Sequence, residues 1–287
     1  MRAVEVVRPG PLTTLQDAGR VGVAALGVPR AGALDPEAHR LANRLVGNAP
    51  EAAVLEATLG GVALRALEPL LAAVVGAPAP VRVDGRAAAW GAPVRVPAGA
   101  VLAVGAPTGG LRCYLAVAGG FTVPPVLGSR STDLLAGLGP PRLAVGQLLP
   151  VGLPTGPPCW IDPLPLPAPP GELLLRLDLG PRADWFVPTA PRTLDRGRWT
   201  VSPASNRVGL RLLGPAFERL PDRGELPSEG MVLGAVQVPP DGQPVVFLAD
   251  HPTTGGYPVL GVVPAADLTA AAQAAPGTPV RFTRSNR

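Results

Sequence analysis

Residues 250–258 read Asp-His-Pro-Thr-Thr-Gly-Gly-Tyr-Pro and directly follow the apolar run QPVVFLA. Asp250 is a carboxylate placed where a buried strand ends, a position from which it could act as a general base. Thr253 and Thr254 add two hydroxyls, and Tyr257 a phenol or a stacking face. Gly255-Gly256 would let successive backbone N–H groups converge on an oxygen as an anion-binding nest. An acid beside such a cradle could hold a carboxylate, carbonyl or phosphoryl oxygen. The same composition also describes a polar turn in which Asp250 caps backbone N–H groups, and composition alone favours that turn. His251, followed by Pro252, reads as a solvent-facing loop residue rather than the catalytic element.

Four other segments carry polar groups in Gly-punctuated settings. SNRVGLRLLGP places Asn206 and Arg207 before a strand, where an amide and a guanidinium could clamp a carboxylate. ELPSEGMVLGAVQVPPDGQP contributes Gln237 and also Glu229, the latter at a strand entrance as a cap or a base. TTLQDAGRVG holds Asp17 and Arg20, which read foremost as a local ion pair ordering the loop. LGSRSTD offers Arg130 and Ser131 but no nucleophile elbow and no histidine partner, so a Ser-His-Asp hydrolase is unsupported. Cys113 and Cys159 lie in neither a CxxC nor a His-containing cluster, so no metal site is expected.

These groups need a scaffold, and the chain predicts a mainly β one. With 39 prolines and 36 glycines spread among short Val-rich runs, the turns are too frequent for long helices. Aromatic residues are scarce, so Val, Leu and Ala must build the core. Asp84-Gly85 between VRV and RAAAW is a two-residue hairpin signal. ALDPEAHRLANRLVGN reads as a helix capped by Asp35, with Pro36 in its first turn, an apolar stripe of Ala38, Leu41, Ala42 and Leu45, and a stop at Gly47. An Ala-rich helix precedes the last strand. The β-barrel class follows. A Pro-rich connection over 151–171 is expected to separate an N-terminal β-rich lobe (1–150) from a C-terminal lobe (172–287).

Composition also excludes. The chain contains no lysine, so a Schiff base, a Walker-type phosphate loop and a biotinylated lysine are impossible in it. Its arginines are scattered singly and form no basic block, which argues against a nucleic-acid surface. No apolar run is long enough for a membrane span. Two cysteines in 287 residues, and an N-terminus with Glu5 and Arg8 where a leader needs an apolar core, lead us to expect a soluble cytoplasmic protein.

Taken in order, the segments resemble one family. TTLQDAGRVGVAALGVPRAGALD, ANRLVGN, LEATLGG, YLAVAGGFTVPPVLGSRSTD, SNRVGLRLLGP, the run from ELPSEG to GGYP, and ADLTAAAQAAPGTPVRF are similar to the allophanate hydrolase subunit 2, or biotin-dependent carboxyltransferase, family. That family includes the C component of 5-oxoprolinase and the regulator KipA. The chain departs from its pattern at His251-Pro252 and at Val259.

The resemblance implies cyclophilin-like β-barrel architecture in two lobes. It also implies two partners similar to the other 5-oxoprolinase components: a KipI-like protein of the B type and a LamB/YcsF-type protein of the A type. The complex would open 5-oxoproline to glutamate with ATP. ATP would be held by a partner or at a shared interface. On this reading Asp250 and Glu229 are the acid/base candidates, Asn206 and Arg207 bind the substrate carboxylate, and Thr254, Gly255 and Gly256 cradle an oxygen. Thr253, Tyr257, Gln237, Asp17 and Arg20 complete the candidate set. Two alternatives remain open: a carboxyltransferase acting on urea or another amide from a biotin carrier on another chain, and a non-catalytic KipA-like regulator that sequesters a KipI-like protein.

Overall fold

The computed structural model describes residues 2–160 and 171–284. The chain divides into two compact units. One comprises Met1–Val21, Ala31–Asp133 and Gly137–Pro169, and the other Gly22–Arg30, Leu134–Ala136 and Pro170–Arg287. Residues 161–170 of the expected Pro-rich connection lie outside the described residues.

The first unit is a pair of antiparallel sheets. Its strands are β1 (Ala3–Pro9), β2 (Leu12–Gln16), β3 (Val54–Thr58), β4 (Val62–Ala66), β5 (Leu70–Gly76), β6 (Val81–Val83), β7 (Arg86–Ala88), β8 (Pro93–Val96), β9 (Val101–Val104), β10 (Arg112–Val117) and β11 (Leu148–Pro150). They form sheets ordered β11-β1-β4-β9-β6-β7 and β2-β3-β10-β5-β8. Val4, Val6, Leu64 and Leu102 of the first sheet and Leu15, Leu55, Val74 and Leu115 of the second share one core, as strand alternation requires. Asp84 and Gly85 both adopt left-handed φ, 47° and 78°, the conformation that a two-residue hairpin between β6 and β7 demands.

The opposite face of the second sheet carries helix α1 (Pro36–Leu45). Asp35 caps it, accepting a 2.9 Å bond from the Ala38 N–H, and Pro36 sits in the first turn. Ala38, Ala42 and Leu45 pack against Val54, Val75 and Tyr114. Polar groups are buried there too. The Tyr114 hydroxyl donates to Glu56 (2.8 Å), which also accepts the Leu34 N–H (2.9 Å). Burial, then the Glu56 charge, drives the Tyr114 phenol far above its ordinary value.

The second unit contains a closed barrel. Its elements are β12 (Leu173–Leu179), α2 (Ala190–Arg196), β13 (Trp199–Val201), β14 (Gly209–Leu213), β15 (Glu229–Gly230), β16 (Ala235–Gln237), β17 (Val245–Phe247), β18 (Thr254–Gly255), β19 (Val259–Val262), α3 (Ala265–Gln273) and β20 (Pro279–Arg284). Seven of these strands close in the order β12-β19-β16-β17-β14-β13-β20, with β20 returning to pair in parallel with β12. Alternate residues Leu173, Leu175 and Leu177 point inward, and Trp199 stacks on Phe217 at a 5.6 Å centroid separation. The architecture is mainly β with few helices, and among the described residues no helix is long and apolar enough to cross a membrane.

Candidate functional site

In the barrel unit, β17 ends at Phe247 and the chain runs on beside the residues that lead into β14. Leu248 donates its N–H to Val208 O (2.9 Å) and Asp250 to Arg207 O (3.1 Å), so the two segments stay antiparallel beyond the strands. This places the Arg207 guanidinium flat against the Asp250 carboxylate. Nε meets Oδ2 and Nη2 meets Oδ1, both at 2.9 Å. Arg207 is 2% exposed and Asp250 is 0% exposed.

That geometry corrects two expectations. Arg207 was expected to clamp a substrate carboxylate, but its fork already grips a carboxylate of this chain. Asp250 was expected to act as an acid/base group, yet both its oxygens face a permanent cation and neither reaches solvent. As folded, the pair positions the loop that follows it. Asn206 is also engaged locally: its Oδ1 accepts from the Val208 and Gly209 N–H groups, at 2.9 and 3.3 Å, in an Asx turn that starts β14. Through that oxygen it caps the strand.

The loop itself becomes a strand. β18 pairs with β15, matching Glu229 to Gly255 and Gly230 to Thr254. Neither Gly255 nor Gly256 has a left-handed φ, so the αR–αL alternation of the expected N–H nest is not formed there, and Gly255 lies in β18. Glycine at 255 serves close approach instead, since a Cβ there would lie 2.7 Å from Gln237 Nε2. Gln237 donates from that nitrogen to Tyr257 O (3.2 Å), and Met231 N–H donates to Thr253 O (2.9 Å).

Glu229, Thr254, Gln237 and Tyr257 thus gather at one end of this unit, joined by two arginines that the sequence reading did not single out. Arg182 grips Glu229 through Nε at 3.0 and 3.1 Å to its two oxygens, and through Nη2 to Oε1. Hydrogen bonding from Arg182 holds the Glu229 carboxyl below its ordinary value, so it is ionised at neutral pH. Arg219 lies over the half-exposed Tyr257 ring, its Cζ 5.5 Å from the centroid. Its Nη2 donates to Val238 O (3.1 Å), while its buried Nε has no hydrogen-bond partner among the described residues. No local spacing announces either arginine: Arg182 lies 47 positions from Glu229. An ionised carboxylate, an amide, a hydroxyl and a guanidinium over an aromatic face are groups that can recognise a small polar amide.

His251 packs inward. Its ring stacks near Phe247, 5.9 Å away at 19°, and Nδ1 lies 2.8 Å from Pro252 O. At 9% exposure it is not the solvent-facing loop residue expected.

Asp17 and Arg20 belong to the sandwich unit and do not form the expected ion pair. Asp17 Oδ1 accepts from Gly19 N–H (2.8 Å) and from the Ser129 and Ser131 hydroxyls (both 2.6 Å), and Oδ2 accepts from Arg130 N–H (2.6 Å). Burial pushes this carboxyl up, but the four hydrogen bonds outweigh it and the net direction is down. Arg20 turns to carbonyls, donating to Ser131 O (2.5 Å) and Val126 O (3.2 Å). Ser131 links the two residues, its hydroxyl bonding Asp17 and its carbonyl Arg20. Both cysteines are free, and among the described residues no His/Cys/Asp/Glu cluster suits a metal ion.

The family model "Carboxyltransferase domain, subdomain A and B" matches residues 26–284, and the chain belongs to that family. It is 38% identical to the C component of 5-oxoprolinase from Escherichia coli over 98% of this chain and 91% of that protein. The crystal structure of TTHA0988 superposes with a TM-score of 0.88 at 39% identity, covering 99% of this chain and 56% of that one. The crystal structure of the K. lactis urea amidolyase gives a TM-score of 0.90 at 31% identity, covering 99% of this chain but 19% of the larger enzyme.

Proposed function

We propose that this chain is the C component of an ATP-dependent 5-oxoprolinase, active in complex with a KipI-like partner and a LamB/YcsF-type partner. The supporting observation is the near end-to-end similarity to the E. coli C component, 38% identical over 91% of its length. A lactam is a poor electrophile. Transfer of the ATP γ-phosphoryl group to the lactam oxygen would release ADP and leave a carbon that water can attack. Collapse then breaks the ring C–N bond to leave a glutamyl phosphate, and a second water releases phosphate and glutamate. ATP is here a co-substrate. The absence of lysine, and hence of any Walker-type cradle, suits a nucleotide held by a partner or at a shared interface.

In this reading the ionised Glu229 orients a polar group of the substrate or the attacking water, with Arg182 fixing its position. Thr254, Gln237 and Tyr257 shape the amide subsite, and Arg219 faces the substrate carboxylate. The Arg207–Asp250 pair is a positioning device for the segment that carries Thr253 to Tyr257. The test is reconstitution with both partners, measuring glutamate and phosphate from 5-oxoproline and ATP, and omitting each component in turn. Glu229→Gln should lower turnover by about 10²-fold while the complex still assembles. An assembled complex that forms no glutamate would overturn the proposal.

A second reading, carboxyl transfer to urea or another amide, is favoured by the TM-score of 0.90 with the urea amidolyase. It requires a biotin carrier on another polypeptide. Carboxylation of urea by this chain with such a carrier, and no glutamate from 5-oxoproline, would decide for it.

A further inference from the structure

The sandwich unit contains a cavity of about 470 Å³ beside the C-terminal half of α1, lined among others by Arg40, Arg44, Asn48, Pro50, Pro157 and Cys159. Its volume is that of a small-molecule site. Arg40 and Arg44 are one helical turn apart and share a face, where like charges oppose helix formation. Among the described residues neither guanidinium has a hydrogen-bond or ion-pair partner.

The cavity wall is built to suit an anion. A helix C-terminus normally repels negative charge through its free carbonyls. Here Cys159 N–H donates to Leu45 O (3.1 Å) and the Thr155 hydroxyl to Gly47 O (3.3 Å), which occupies those oxygens. The segment from Thr155 to Cys159 passes so close that a Cβ on Gly47, whose φ is 74°, would lie 2.4 Å from Gly156 O. Asn48 is immobilised by bonds to Asn43 Oδ1 (3.0 Å), Val117 O (2.8 Å) and Gly119 N–H (2.8 Å). Arg95, opposite Leu71 in the sheet register, adds a cation on the face that α1 covers and lies 5.3 Å from the Trp160 ring centroid.

We propose that this cavity binds a small phosphate-bearing anion through the paired guanidiniums of Arg40 and Arg44. The site is independent of the reaction proposed above. Cys159 supplies a reporter, because Cys113 is buried, with its thiol pushed up to about 12, and stays silent toward a thiol reagent. Inorganic phosphate, pyrophosphate and ADP would each be titrated while the rate of Cys159 modification is followed, with calorimetry in parallel. At least one phosphate compound should slow modification and bind. The same compound should bind the Arg40→Gln/Arg44→Gln variant about tenfold or more weakly. Both arginines are exposed, so that variant should fold, which circular dichroism checks. Equal affinity for pyrophosphate and ADP would identify the phosphate moiety as the ligand, and tighter ADP binding a nucleotide. Absence of protection and binding at millimolar concentration, equal protection by chloride, or undiminished binding by the variant would overturn the proposal.

Discussion

Asp17 in the sandwich unit and Asp250 in the barrel unit are both buried aspartates, satisfied by different means. Asp17 is surrounded by neutral donors: two backbone N–H groups and two serine hydroxyls. Asp250 is held by one cation in a bidentate grip. Four neutral bonds spread the cost of losing one partner, whereas a buried ion pair concentrates it, since removing either charge takes away the other's counter-charge in a low-dielectric interior. Two carboxylates that read alike in sequence should therefore respond differently to substitution.

The largest expected effect follows from Asp250→Ala, which removes the carboxylate facing the buried Arg207 guanidinium and should cost about 3–5 kcal/mol in denaturant unfolding. Replacing both partners with apolar residues, as in Arg207→Met/Asp250→Leu, should recover much of that loss. A double variant as unstable as the single would show that the pair is worth more than its desolvation penalty.

Asp17→Asn should cost less, about 1–3 kcal/mol, because it disturbs up to four neutral-donor bonds without stranding a cation. Hydrogen exchange should report the loosening at Gly19 and Arg130, whose N–H groups bind the carboxylate. Its pH signature is also defined. The folded carboxyl lies below its unfolded value, so its contribution is fully present above the ordinary aspartate range and is lost as pH falls through the lowered folded value. The wild type should therefore lose stability in acid more steeply than Asp17→Asn. Parallel acid titrations of the two proteins would contradict the four-donor account.

Gly255→Ala tests the barrel unit more gently. The added methyl meets the mobile end of Gln237, so overpacking of about 1–3 kcal/mol is the upper range, and a loss of turnover in the complex is the more telling readout. Arg182→Gln sits at the bottom of the scale. Its partner Glu229 is solvent-accessible, so thermal stability should not change measurably, while turnover should fall as Glu229 loses the group that fixes its orientation. A clear shift in unfolding midpoint would show that this pair supports the fold.

The structure also separates what could be read along the chain from what could not. Helix α1 was legible because its cap, first-turn proline and apolar stripe are all local. So was the Asp84-Gly85 hairpin, which needs only two residues of left-handed backbone. The assignment of Gly255-Gly256 as a nest failed because the pairing partner that extends this segment, Glu229-Gly230, lies far away in sequence. Asp17 and Arg20 are separated by two residues, and that proximity suggested an ion pair, yet the loop around Ser129 and Ser131 supplied better partners to both. His251 looked like loop and is packed against Phe247.

By itself the sequence determined the β class, the turn positions, the main helix and the residue types available for chemistry, because each depends on neighbours within a few positions. Tertiary structure decided which charges face each other. Arg207 reaches Asp250 and Arg182 reaches Glu229 only after strands distant in the chain have paired. The physical reason is range: backbone preference acts over a turn or a strand, while the environment that fixes an ionised group's role is set by whatever the completed fold places within a few ångströms of it.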